Sequence, residues 1–229
     1  MPRNLSPSDV ANFRERLCDV ATQLLAELGQ EGFNMRELAA RMGVSAMTTY
    51  RYFKDKNEIL LAVRERAFAR FADRLEAATS SCASREEKLA ALSLTYAAFA
   101  RDEHVHYALM FDLSSPQPGA AARAEELRAR AAMYGCLSET HHETDTELAA
   151  SILWSALHGV AALHATGKLG DVEFERALAE IVHAAAATPR GIAAFPKRVL
   201  PANDATPAVR ASASAEPSYN HVLALAPAE

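Results

Sequence analysis

The chain has 229 residues, half of them apolar, and a formal net charge of −5. That length suits one large helical domain or two smaller ones, with enough apolar material for a core. No run approaches the roughly 18 consecutive apolar residues of a membrane helix, and the opening MPRNLSPSDV lacks the apolar stretch of a secretory signal, so a cytoplasmic chain with no membrane partner is expected. Cys18, Cys82 and Cys136 are odd in number and far apart, which excludes a disulfide framework or a zinc-finger spacing; they are expected to be reduced and mostly buried. The acidic average hides a split. Residues 1–75 are net +2 and the remainder net −7, the distribution of a protein that meets an anion with one end only.

Helix signals dominate from the start. Ser6-Pro7-Ser8-Asp9 reads as a capping box with proline at the first helical position, and Val10, Phe13, Leu17, Ala21, Leu24 and Leu28 then recur every three or four residues until Gly29. Asn34 to Glu37 opens a short second helix ending at Gly43, and Ser45 caps a third through about Tyr52. Asp55 and Glu58 open a long fourth helix with Leu60, Val63, Ala67, Phe71 and Leu75 along one stripe. Ser84 to Glu87 starts a fifth, with Leu89, Leu92, Tyr96 and Phe99 on its inner face. A sixth covers roughly 104–112, a seventh runs from about Ala120 to Leu137, an eighth from about Asp145 to Thr166, and a ninth from near Asp171 to before Pro189. The fold class is all-α with about nine helices. After Pro196 the composition turns to Pro, Ala and Ser without periodicity, the pattern of a disordered tail.

The second and third helices are too short to hold themselves. Between them, Ala39 and Ala40 allow a close crossing, Gly43 suits a left-handed turn and Val44 plugs the corner. This is a helix-turn-helix, which presents its second helix to the major groove. Tyr50 and Tyr52 then have apolar bodies for a small three-helix core and hydroxyls that reach phosphates, and Phe53 anchors the end of the reading helix. Lys56 opposes the local helix dipole at the start of the fourth helix, and a nearby phosphate explains it. Residues 34–56 carry five basic and two acidic side chains. The alternative is a small helical subdomain with a solvated charged face.

The ordered set Gly43-Val44-Ser45, Thr48, Tyr50, Tyr52-Phe53, Lys56 and Glu58-Ile59-Leu60 resembles the DNA-binding domain of the TetR family of bacterial transcriptional regulators, over residues 8–60. Thr49 departs from the family's aliphatic residue, and its hydroxyl requires a partner, such as a backbone carbonyl in the preceding turn. Met35 stands where relatives often carry a polar group. The resemblance implies a homodimer whose reading helices enter successive major grooves of a palindromic operator, roughly 34 Å apart. It further implies Arg36 at a base edge, Ala46 and Met47 in apolar contact with the bases, and Ser45, Thr48, Tyr50, Tyr52 and Lys56 on the DNA. It also implies a ligand-responsive repressor released by a small-molecule effector.

The division expected is residues 1–55 as the DNA-binding domain, 56–190 as the helical regulatory and dimerisation domain, and 191–229 as the tail. Leu153-Trp154-Ser155-Ala156-Leu157-His158-Gly159 resembles a Trp-then-His-Gly signature of one TetR subgroup. The small residues of the eighth helix and the stripe Phe174, Leu178, Ile181 and Val182 of the ninth suit a four-helix dimer bundle. Trp154 and His158 share a helix face. With Tyr107, Met110, Phe111 and Tyr134 they are candidates to line an effector pocket, the alternative being that all six are core. His104 with His106 and His141 with His142 lack ligand spacing, so no metal is expected, and no cofactor. Neither a nucleophile elbow, a phosphate-binding glycine loop nor HExxH is present. A helical-bundle enzyme or small-molecule binding module is the alternative, and it leaves the first 60 residues without a use.

Overall fold

The computed structural model describes residues 6–112, 120–137 and 143–187, with side chains from 146 in the last stretch. Nine helices are present among them: α1 Pro7–Gly32, α2 Met35–Arg41, α3 Ala46–Tyr50, α4 Lys56–Ser80, α5 Arg85–Asp102, α6 His104–Met110, α7 Ala120–Gly135, α8 Glu143–Ala165 and α9 Asp171–Ala187. The chain divides into two compact units, one ending at Cys136 and the other beginning at Leu137. The expected tail lies outside the described residues, as do His141 and His142.

Caps set the helix starts. Ser6 and Asp9 close a capping box on α1, Ser84 and Glu87 close another on α5, and Asn34, Ser45 and Asp55 each accept a backbone N–H at the start of α2, α3 and α4. Gly29 takes φ 67° and breaks α1, after which a short turn continues to Gly32. Leu28, expected on the buried stripe, is instead 46% exposed. It sits in the last turn before the break, where its Cβ lies over Gly32 with no room for a side chain there. Helix α3 stops at Tyr50, two residues earlier than its periodicity predicts, because the Thr49 carbonyl accepts from both Tyr52 N–H and Phe53 N–H and closes the turn.

Within the first unit, α1, α2, α3 and the start of α4 enclose Leu17, Leu24, Phe33, Leu38, Phe53 and Ile59, none more than 1% exposed. Leu109 of α6 belongs to the same core, with Val105 packed on it, so the helix-turn-helix is seated on α6 as well as on α4. A second core joins α4, α5 and α6 through rings: Phe71 lies 5.2 Å from Tyr96 and 5.0 Å from Phe99, and Tyr107 lies 4.9 Å from Phe111. Aromatic groups of this size each bury about 150–250 Å². Cys18 and Cys136 are buried thiols outside any disulfide and Cys82 is half-buried.

In the second unit, α8 packs against α9. Leu153, Leu157, Ala161 and Leu178 are buried, whereas Leu148 and Ile152 are each 50% exposed and Leu163 46%. The segment Thr146–Ala165 is long and apolar enough to cross a membrane by length and composition, and its exposed apolar positions fall at helical spacing on one side.

Gly43 sits at φ 66°, and an added Cβ there meets nothing within 4 Å. Its replacement therefore acts through the backbone alone. Gly43→Ala should cost about 1–2 kcal/mol of unfolding free energy, whereas Phe53→Ala, which empties a fully buried site, should cost about 3–5 kcal/mol. Chemical denaturation followed by circular dichroism measures both, and equal losses would contradict this ranking.

Candidate functional site

Five residues of α3 are positioned by what lies beneath them. Thr49 is fully buried, and its hydroxyl donates to the Ala46 carbonyl at 2.8 Å, so the polar group that replaces an aliphatic side chain is satisfied inside its own helix. Phe53 is fully buried and lies under the Arg14 guanidinium, 4.1 Å from the ring centroid. Arg14 also donates to the Tyr52 carbonyl. The seat of the helix is thus fixed from α1, by a residue whose role the sequence did not reveal, since 38 positions separate the pair.

What faces outward is a short polar and apolar strip. Met47 is 73% and Tyr50 48% exposed. Ser45 caps the helix through Thr48 N–H, and the two hydroxyls lie 2.9 Å apart. Ala46 and Thr48 are half-buried, and Arg36 on α2 is exposed. Met35, its neighbour, is buried in the core, which explains an apolar residue there. Tyr52 is half-buried with its ring 4.5 Å from Phe13. The Lys56 ammonium donates to the Gln30 carbonyl near the end of α1 and sits 5.9 Å from the Phe33 ring. Sequence reasoning placed Lys56 against a phosphate; in the free chain it braces α1 against α4, and its remaining N–H donors are available. Arg51 and Lys54 are exposed beside the strip.

Of the six candidate pocket residues, Tyr107 and Met110 are buried and Phe111 and Tyr134 half-buried in the first unit, while Trp154 and His158 are half-buried in the second. Tyr107 and Phe111 adjoin directly. The Tyr107 hydroxyl lies 3.1 Å from that of Tyr96, a partner the sequence reading had assigned to the core. Burial pushes the Tyr107 hydroxyl well above the ordinary tyrosine value, so it stays neutral. Burial holds the His158 ring below its ordinary value.

Residues 17–63 match the model of bacterial regulatory proteins of the tetR family, and residues 89–188 that of the tetracyclin repressor-like C-terminal domain. Together they take in more than half of the chain, in the order the fold presents them. The chain belongs to the TetR family. Among curated relatives, it is 32% identical over 75 residues to the fatty acid metabolism regulator protein of Bacillus subtilis, covering 33% of this chain and 39% of that one. It is 34% identical over 58 residues to an HTH-type transcriptional regulator of Staphylococcus aureus, covering 25% and 31%. The chain therefore spans less than half the length of these relatives. Among solved structures, a Rhodococcus sp. RHA1 protein of unknown function aligns with TM-score 0.68 at 22% identity, over 81% of this chain and 96% of that one. The transcriptional regulator FadR of Bacillus subtilis, in complex with stearoyl-CoA, aligns with TM-score 0.62 at 18% identity, over 76% and 97%. These likenesses establish the fold.

In this TetR-family fold the histidines of α6 have separate settings. His104 is exposed. His106 is half-buried, with Nδ1 3.0 Å from Glu103 Oε2 and Nε2 3.3 Å from the Thr22 hydroxyl on α1. Glu103 is also held by Arg70 at 2.7 Å and by Arg74. Burial acts to raise its carboxyl, but hydrogen bonding from Arg70 and the charges of Arg70, Arg74 and His106 outweigh that and hold it below the ordinary range. Burial is the larger influence on His106 and holds its ring below the ordinary value despite Glu103.

The pH dependence follows in sign. For His106 the unfolded chain takes up its proton first as pH falls through about 6.5, so stability drops from neutrality downward until the folded ring titrates. Glu103 contributes stability above about pH 4.3 that is lost as pH falls through its lower folded value. The thermal midpoint should decline between about pH 7 and pH 5.5, and His106→Gln should remove part of that decline. An identical slope in the variant, measured by calorimetry, would contradict the assignment.

Proposed function

We propose that this chain is a ligand-responsive transcriptional repressor that binds a palindromic operator as a homodimer. The observation that carries the reading is the outer strip at α3, the exposed Met47 and Tyr50 with the capping Ser45 and the half-buried Thr48, held over a fully buried Thr49 and Phe53. A rigidly seated helix with its outer face uncommitted is what major-groove reading requires. In this reading Met47 and Ala46 offer apolar contact to bases, Arg36 reaches a base edge, and Ser45, Thr48, Tyr50, Tyr52 and Lys56 grip phosphates.

The exposed Leu148, Ile152 and Leu163 of α8 would be covered by the same face of a second copy, with α9 beside it. The effector site would draw on Tyr107, Met110, Phe111 and Tyr134 of the first unit. Ligand binding would favour a dimer whose α4 helices hold the reading heads at the wrong separation. The relative crystallised with stearoyl-CoA supports a small-molecule effector as a class.

Selection of the full-length protein on random duplex DNA, followed by sequencing, tests the reading. An enriched palindrome supports it, and saturable binding without any enriched sequence contradicts it. On the enriched duplex, Tyr50→Ala should weaken binding about tenfold on every sequence, the loss of one hydrogen bond to a charged group. Arg36→Ala should instead relax the preference at one base position by about 1–3 kcal/mol. A separate measurement concerns assembly: Ile152→Glu should shift the protein from dimer to monomer in sedimentation equilibrium, and an unchanged dimer would move the interface elsewhere.

A further inference from the structure

Two buried polar atoms among the described residues have no hydrogen-bond partner: Arg64 Nε on α4 and Ser93 Oγ on α5. Both belong to the first unit. Ser93 is 1% exposed, and an unmet hydroxyl at that depth opposes folding. Arg64 is more telling. The other arginines of α4 are all paired, Arg66 with Glu15 and Asp19 and both Arg70 and Arg74 with Glu103. Arg64 is half-buried, with its guanidinium 5.9 Å from the Phe68 ring and no carboxylate partner among the described residues. A buried N–H without a partner costs stability, and such costs mark functional sites.

A continuous aromatic path connects the two orphans. Phe68, one turn along α4 from Arg64, meets Phe111 edge-on at 6.4 Å. Phe111 meets Tyr107 at 4.9 Å, and Tyr107 meets Tyr96 at 5.9 Å, where the two hydroxyls also bond. Ser93 stands one turn before Tyr96 on α5, on the same face. The path thus has a lone cation at one end, neutral hydroxyls at the other and ring surface between them. The Tyr107 hydroxyl adds no charge of its own.

We infer that the effector is an apolar molecule ending in one anionic oxy-acid group, its head paired with Arg64 and its body lying along the Phe68, Phe111, Tyr107 and Tyr96 rings toward Ser93. This rests on the ligand-responsive reading above and names the chemistry of its ligand. A guanidinium fork suits a carboxylate or a phosphate equally, and the two share the same requirement for charge. A neutral ligand would leave Arg64 as unpaired as it is now, and a cationic ligand would be repelled.

The test is direct binding to the full-length protein, without DNA, by isothermal titration calorimetry with octanoate, octyl phosphate, octanol and octylamine. At least one anion should bind about tenfold or more tightly than octanol, the worth of one charge-assisted hydrogen bond, and octylamine should bind least. Arg64→Gln should abolish that preference while leaving octanol affinity unchanged, and Arg64→Lys should restore part of it. Ser93→Ala should leave the anion preference intact. Melting of each variant is followed in parallel: Ser93→Ala removes an unmet hydroxyl and should melt no lower than the parent, and Arg64→Gln should remain folded at the binding temperature. Equal affinity for octanoate, octyl phosphate and octanol, an anion preference that survives Arg64→Gln, or the absence of saturable binding by all four would overturn the assignment. Because no DNA enters this measurement, a failure to read DNA is a separate result and does not decide it.

Discussion

The proposed reading of DNA depends on holding a five-residue helix still. Helix α3 is far below the length at which a helix survives alone, so its position comes entirely from its buried side. Thr49 and Phe53 are fully buried, the Thr49 carbonyl gathers two backbone donors, and Arg14 clamps the exit over the Phe53 ring. Met47 and Tyr50 are left exposed on its outer side. A binding surface held on so firmly seated a helix can be exact in geometry.

Helix α6 carries the other constraint. Val105 and Leu109 pack into the core of the reading head, and His106 reaches the Thr22 hydroxyl on α1. Tyr107 and Phe111, around the other side of the helical spacing, belong to the aromatic path that ends at Arg64 and Ser93. One element thus touches both the head and the proposed effector site. A shift of α6 by a fraction of a turn would be felt at α1 through packed side chains, which tolerate discrete rearrangements better than gradual ones.

The helices were legible because their signals are local. Caps at Ser6, Asn34, Ser45, Asp55 and Ser84 act over three residues, and Gly29 and Gly43 mark left-handed backbone wherever they occur. The family membership was legible for the same reason, since the carrying residues lie within one turn and its flanks. Leu28 misled because it stands in the last turn before the helix breaks at Gly29, where the apolar stripe no longer meets the core. Arg14 over Phe53, Lys56 on the Gln30 carbonyl and Tyr96 beside Tyr107 were not legible, because each pairs residues that only the tertiary fold brings together. Arg64 was the least visible of all: in the sequence it is one of several arginines on an amphipathic helix, and only the pairing of its neighbours sets it apart.

The most direct test of the account is hydroxyl-radical footprinting of the full-length protein on its selected duplex. The account predicts two protected tracts on one face of the DNA, centred about one helical turn apart, with about tenfold more protein required for the same protection at both when Tyr50 is replaced by alanine. A single tract, diffuse protection along the duplex, or an unchanged protein requirement for the Tyr50→Ala protein would contradict the claim that paired α3 helices read the DNA.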